Sequence, residues 1–218
     1  MGKGAFLLLI LLSLSASVFA RDWERHEIPG AKCGNGKPYP IYVDNKKDSS
    51  KVLLELMGGG ACWDTYTCYG PNLRTWIHSI PKFESYSTLT SENPELSPFT
   101  ESSAVYFPYC TGDVFAGRHH AEYQWGFKVH HTGYTNILKA IQYLRRKNLL
   151  AHKDVKEFMI YGNSAGAIGA FIHAKNFDRL FSKAEKKVII SDSPGLHFGK
   201  DFWKKFPRTL FSDIKRAL

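Results

Sequence analysis

Apolar positions fall into short runs separated by polar, turn-rich stretches, and the runs alternate in type. Residues 51–57 (KVLLELM) are almost continuously apolar, the pattern of a strand buried on both faces, and they stop at Gly58-Gly59-Gly60, a loop by composition. Residues 103–108 (SAVYFP), 156–161 (KEFMIY) and 187–191 (KVIIS) give three further strands. Between the second and third, residues 134–150 place Ile137, Leu138, Ile141, Leu144 and Leu149 among Lys139, Arg145, Arg146 and Lys147, which predicts a helix with one buried face. Residues 165–176, apolar and rich in small side chains, predict a second helix. Strands alternating with helices imply right-handed parallel crossovers, hence an α/β protein with a mostly parallel sheet and flanking helices.

The rest of the chain is less patterned. Residues 21–50 are polar, with Pro29-Gly30, Gly34-Asn35-Gly36, Pro38 and Pro40, and Ile41-Tyr42-Val43 reads as a short edge strand. Residues 69–102 carry Pro71, Pro81, Pro94 and Pro98 and read as a loop-rich excursion with short helices at most. Near the end, Phe202, Trp203, Phe206, Leu210, Phe211 and Ile214 lie among lysines and arginines, as in a helix whose aromatic surface expects a cover. No repeat or linker interrupts residues 21–218, which read as one domain. Residues 1–20 are a signal peptide by pattern: Lys3, the apolar run 6–12, then Val18 and Ala20 before Arg21. The run is shorter than the roughly 20 residues that span a bilayer. A secreted protein without a stable membrane span is expected.

Composition adds three points. The net charge of +9 and pI near 9.3 suit a polyanionic partner such as an acidic polysaccharide, or serve solubility alone. No basic and aromatic motif points to nucleic acid. The four cysteines, Cys33, Cys62, Cys68 and Cys110, are even in number and imply two disulfides in an oxidising compartment, with three pairings open. The pairs His119-His120 and His130-His131 invite a metal reading, but no carboxylate lies at ligand spacing and no CxxC occurs, so neither metal nor cofactor is expected.

The chemistry sits at Gly162-Asn163-Ser164-Ala165-Gly166, a G-x-S-x-G pentapeptide between a predicted strand and a predicted helix. That context defines a nucleophile elbow: small neighbours permit a tight turn, and the serine hydroxyl stands at a helix N-terminus, where N–H groups favour the charge formed during acyl transfer. A second N–H donor comes in such folds from the loop after an earlier strand, and Gly58-Gly59-Gly60-Ala61 fits.

These stretches carry a resemblance. Residues 56–64 (LMGGGACWD) followed by Cys68 resemble the glycine-rich, cysteine-paired loop of pectin acetylesterases and Notum-like carboxylesterases. Residues 108–114 (PYCTGDV), 130–136 (HHTGYTN), 162–167 (GNSAGA) and 191–193 (SDS) are similar to later blocks of that family, in family order. The resemblance implies a metal-free hydrolase of α/β-hydrolase type acting on O-acyl esters, such as acetyl groups on pectic sugars. It implies Ser164 as nucleophile, the N–H groups of Gly60, Ala61 and Ala165 as oxyanion donors, and a Cys62–Cys68 disulfide that leaves Cys33 with Cys110. The expected partner is an acylated carbohydrate, and a monomer is expected.

A serine nucleophile needs a base and an orienting carboxylate, in this fold in the order Ser, acid, His. After Ser164 only His173 and His197 occur. His173 reads as a helix-surface residue, and His197 comes too soon after the fourth strand. Asp192, at the end of that strand, is a candidate acid, although the order rule and the resemblance favour a wall of the site. The simplest reading is the N-terminal part of a longer hydrolase, its sheet incomplete at the C-terminus and its acid and base beyond residue 218. The alternative is an inactive hydrolase-fold fragment or carbohydrate-binding module. Trp63, Tyr109 and Trp125 are candidates for stacking on a sugar ring or for the core.

Overall fold

The computed structural model describes residues 21–70, 77, 89–90, 93, 95–151, 154–195 and 200. The expected signal peptide, the aromatic C-terminal stretch and His197 lie outside them. The frame is a six-stranded sheet of β1 (Glu24–Lys32), β2 (Pro38–Asp44), β3 (Lys51–Leu56), β4 (Ser103–Phe107), β7 (Glu157–Asn163) and β8 (Lys186–Asp192), in the order β1-β2-β4-β3-β7-β8. The contacts β4–β3, β3–β7 and β7–β8 are parallel, whereas β1–β2 and β2–β4 are antiparallel. β5 (His119–Glu122) and β6 (Lys128–His131) form a separate antiparallel hairpin. The helices are α1 (Thr65–Tyr69), α2 (Gly133–Arg146) and α3 (Ala165–Leu180).

The four strands and two long helices legible in the sequence are all present, and the sheet is mostly parallel. Two readings need correction. The polar stretch before residue 33 contains a nine-residue strand, β1, whose inward residues are His26, Ile28 and Ala31. Pro29-Gly30 falls at a register shift between Glu27 and Lys32, which hides the alternation. Because β1 takes the edge, Ile41-Tyr42-Val43 is not an edge strand: β2 lies between β1 and β4, with Tyr42 opposite Tyr106.

The winding of the chain decides which face each connection covers. From β4 the chain passes over β3 to β7, and from β7 it steps on to β8, in one direction. Right-handed crossings therefore put α2 and α3 on the same face. Ile137, Ala140 and Leu144 of α2 and Ala170 and Phe177 of α3 join Leu54, Leu56, Phe107 and Ile160 in one core there. The step from β3 to β4 runs the other way, so its connection belongs on the opposite face. Leu89 and Phe99 of that connection pack there on Leu53, Ala104 and Tyr161. Glu55, fully buried in β3, accepts hydrogen bonds from the Thr90 N–H and hydroxyl at 3.0 and 2.7 Å. A buried carboxylate is tolerated when donors meet it. Among the described residues β8 is the last strand on the other side, and its Ile189 and Ile190 are exposed.

Candidate active site

The reversal of winding falls at β3 and β7. Neighbouring parallel strands whose onward connections diverge to opposite faces leave a crevice at their C-terminal ends, where α/β sheets bind ligands. Leu56, the last residue of β3, is paired with Gly162 of β7, so the glycine loop 58–61 and Ser164 leave the sheet side by side.

Ser164 joins β7 to α3 with φ 52° and ψ −119°, a left-handed backbone that a non-glycine residue adopts only under constraint. Its side chain is exposed, and its N–H donates to the carbonyl of Asp192 at 2.8 Å. The glycines on either side permit the turn. A Cβ on Gly162 would stand 2.1 Å from the Gly166 carbonyl oxygen, and one on Gly166 would stand 2.0 Å from the Leu56 carbonyl oxygen. Backbone lies on both sides of each contact, so nothing can give. The first N–H groups of an α-helix lack intrahelical partners, and Ala165 supplies the first of α3.

The glycine loop is held at both ends. Asn163, next to the serine, accepts a hydrogen bond from the Gly58 N–H at 3.0 Å. The Cys62 N–H donates to the Gly112 carbonyl at 2.8 Å. Gly60 between them has φ 68°. Cys62 is bonded to Cys68 in α1, which Asp64 caps by accepting the Thr67 N–H at 2.6 Å. Cys33 is bonded to Cys110 just after β4.

The wall beyond Gly112 is organised by Asp113, fully buried. Its carboxylate accepts hydrogen bonds from the Thr111 hydroxyl at 2.6 Å and from the N–H groups of Gly133 at 2.6 Å, Phe115 at 3.2 Å and Gly117 at 3.2 Å. Gly133 opens α2, so the carboxylate also sits at a helix N-terminus. Burial pushes the Asp113 carboxyl up to about 6, against the pull of its donors. Val114 and Phe115 follow with φ of 49° and 63°, two successive left-handed non-glycine residues. The Val114 N–H donates to the Tyr109 hydroxyl at 2.8 Å, which places Tyr109 in the core and removes it from the sugar-stacking candidates.

Two neutral histidines complete this wall. His131 is fully buried; its Nδ1–H donates to the Thr111 carbonyl at 2.8 Å, and its Nε2 accepts from the Tyr123 hydroxyl at 2.8 Å. Burial lowers it to about 4. His173 corrects an expectation: it is not on the helix surface but fully buried. Gly166, Ala170, His173, Phe177 and Leu180 form one helical stripe facing the core, so its place in the period decides and its polarity does not. Its Nε2–H donates to the Phe115 carbonyl at 2.9 Å, and its Nδ1 accepts from the Asn176 amide at 3.1 Å. Burial lowers it to about 4. With both nitrogens occupied, His173 has no free edge for Ser164.

Asp192 lies in register with Asn163 at the end of β8, its side chain exposed and its Oδ1 accepting from the Ser193 hydroxyl at 2.9 Å. It serves the elbow through its carbonyl. Cys62, Cys68 and His131 bring ligand-type atoms within 4.8 Å of one another, but the two sulfurs are bonded to each other and neither is a thiolate. Two residues went unread as site builders. Asn163 occupies a variable place in the pentapeptide. Asp113 follows a buried strand, the position that drew attention to Asp192.

Among the described residues no helix is long and apolar enough to cross a membrane. The chain is 29% identical to pectin acetylesterase 5 of Arabidopsis thaliana over 167 residues, 73% of this chain and 38% of that protein. It is 26% identical to the palmitoleoyl-protein carboxylesterase NOTUM of Homo sapiens over 159 residues, 71% of this chain and 30% of that one. A crystal structure of the Wnt deacylase Notum from Drosophila superposes with a TM-score of 0.64 at 22% identity, over 79% of this chain and 53% of that chain, and shares the fold. The chain thus spans about a third of these curated relatives and about half of that solved structure. The pectinacetylesterase family profile matches residues 23–215, and the chain belongs to that family.

Proposed function

We propose that the crevice between β3 and β7 is the acyl-transfer site of a secreted carboxylic-ester hydrolase, with Ser164 as nucleophile and an O-acylated carbohydrate, such as acetylated pectin, as substrate. The observation that carries this is the left-handed backbone of Ser164 at the strand-to-helix junction, beside a glycine loop tied to its neighbour Asn163. Such strain persists where surrounding structure enforces it, and it gathers at functional sites. Ser164 Oγ attacks the ester carbonyl carbon and gives its proton to a base. The carbonyl oxygen becomes an anion facing the N–H groups of Gly60, Ala61 and Ala165. The carbon–oxygen bond to the sugar breaks, the sugar leaves with the proton, and water then releases the acyl group from Ser164. The two disulfides support secretion.

A second reading, an inactive hydrolase-fold module that binds carbohydrate, is favoured by one observation. The described histidine that follows Ser164 in the chain, His173, is buried and committed to Phe115 and Asn176. Losing the base of a triad that acts as a unit costs on the order of a millionfold in turnover. If no other residue serves as base, turnover of an activated acetyl ester is expected barely above background. A fluorophosphonate probe, followed by peptide mapping, compares this chain with its Ser164→Ala variant. Labelling at Ser164 supports the nucleophile assignment. Brisk turnover abolished by Ser164→Ala means that a base is present and removes the inactive reading. Absence of both labelling and turnover leaves the binding-module reading standing.

A further inference from the structure

Of the three aromatic residues that could meet a sugar ring, Tyr109 is core and Trp63 is half-buried, whereas Trp125 is 82% exposed. It stands at the tip of the β5–β6 hairpin with φ 61°, a left-handed backbone that residues other than glycine seldom adopt. That tip is docked on α1. The Thr65 hydroxyl donates to the Gln124 carbonyl at 3.1 Å, the Tyr69 hydroxyl donates to the Lys128 carbonyl at 3.0 Å, and the Tyr69 and Phe127 rings pack with centroids 4.7 Å apart. Tyr66, on the same short helix, is 61% exposed, and Phe127 is 41% exposed. Four aromatic rings thus gather where two small elements are fastened together, and the elements carry few apolar residues besides them.

We infer that the joined tip of β5–β6 and α1 is a platform on which pyranose rings of an acidic polysaccharide stack, with Trp125 as the principal contact and Tyr66 as the second. A folded chain seldom leaves a tryptophan almost fully in water, and aromatic rings clustered at the surface mark binding surfaces. The polar setting selects the ligand. Gln124, Glu122 and Lys128 alternate with the rings, whereas the middle of a protein–protein interface is depleted of charge. A sugar ring offers a C–H face to an aromatic ring and hydroxyls to such neighbours.

Charge selects the acidic class. The chain carries +9, and Lys128 is exposed with Glu122 at 3.9 Å as its one acidic neighbour on the hairpin. The platform is also placed to serve the crevice. α1 begins four residues after Ala61, and the Cys62–Cys68 bond fastens the helix to the glycine loop. The sugar class deepens the carbohydrate-ester reading of Ser164 and rests on it; the surface itself does not.

Ser164→Ala protein, which removes turnover from the measurement, is titrated with polygalacturonate and followed by tryptophan fluorescence and affinity electrophoresis. Trp125→Ala in that background is expected to weaken binding about tenfold, the loss of a truncated aromatic anchor, and Tyr66→Ala to weaken it severalfold. Thermal melts that match the parent establish that each variant folds; a variant that fails this control is replaced by Trp125→Gln or Tyr66→Gln. The inference is overturned if folded variants bind as tightly as the parent, if uncharged galactomannan is bound equally well, or if phosphatidylcholine vesicles retain the protein and polygalacturonate does not. Fluorophosphonate labelling of the parent reports on the esterase reading separately: a chain that binds the polysaccharide but is not labelled loses that reading and keeps the platform.

Discussion

The two sides of the crevice are built from different materials. On the Ser164 side the shape is enforced by what is missing: Gly162 and Gly166 let backbone meet backbone where a Cβ would land 2.1 or 2.0 Å from a carbonyl oxygen. On the Asp113 side the shape is enforced by what is present: one buried carboxylate gathers four donors, and two neutral imidazoles satisfy carbonyls behind it. Both sides hold left-handed non-glycine residues, Ser164 on one and Val114 with Phe115 on the other. Strain can thus be stored by steric exclusion or by buried hydrogen bonds. The two devices fail differently: the first to an added atom, the second to a lost atom or a changed charge.

The largest effect expected is on the polar side. Asp113→Ala leaves the N–H groups of Gly133, Phe115 and Gly117 and the Thr111 hydroxyl without their acceptor. At about 1 kcal/mol or more for each buried donor, the loss is on the order of 4 kcal/mol. Denaturant titration checks it, with Asp113→Asn, which keeps one acceptor oxygen, losing clearly less. Equal losses would mean that the hydrogen bonds do not hold this wall.

Acid should act next, on the same side alone. His131 and His173, held near 4, each take up a proton more readily when unfolded, so their contribution is full above about 6.5 and is lost as pH falls through 4. Asp113, held near 6, works in the opposite direction: its contribution is full below about 4 and is lost as pH rises through 6. Two histidines outweigh one carboxylate, and the net loss between pH 6.5 and 4 is on the order of 3 kcal/mol. Melting temperature against pH reads it, and His173→Gln should remove most of the slope, because one histidine is then nearly balanced by Asp113.

On the steric side, Gly166→Ala should cost about 3 kcal/mol, or roughly 6–12 °C in melting temperature, because its Cβ meets the Leu56 carbonyl. A variant that melts with the parent would show that the elbow is not closely packed. The smallest effect carries the opposite sign. Ser164→Gly should be more stable than Ser164→Ala by about 1 kcal/mol, since glycine adopts φ 52° without strain. Calorimetry of the two variants decides it.

The same division explains what could be read in advance. Steric exclusion leaves a mark in sequence, since only glycine fits, and the elbow and glycine loop were legible from Gly162, Gly166 and residues 58–60. The strands that form the sheet interior were legible because both their faces are apolar. β1 and the β5–β6 hairpin were not, because they are polar ribbons whose alternation is broken by Pro29-Gly30 or spelled in histidines. Buried polar contacts leave no such mark. His173 reads as a helix-surface residue from its position near Phe171 and Phe177, and only its place on the Gly166–Ala170–Phe177 stripe shows otherwise. Asp113 looked like one loop carboxylate among several, since what distinguishes it is donors arriving from α2, 20 residues further on.

The outer strand of the sheet bears on how the protein behaves in concentrated solution. Among the described residues no strand pairs with the outer edge of β8, where Ile189 and Ile190 are exposed. Native edges are commonly protected by lysines, whose charge repels an approaching strand. β8 begins with two, but Lys186 is paired with Glu157 at 2.7 Å and Lys187 with Asp178, so both charges are neutralised within the chain. Among the described residues, the lysines of β8 therefore give this edge no free charge as a guard. Colloidal stability should then fall with protein concentration, and it should improve when Ile190 is replaced by lysine, which adds a charge to that exposed position.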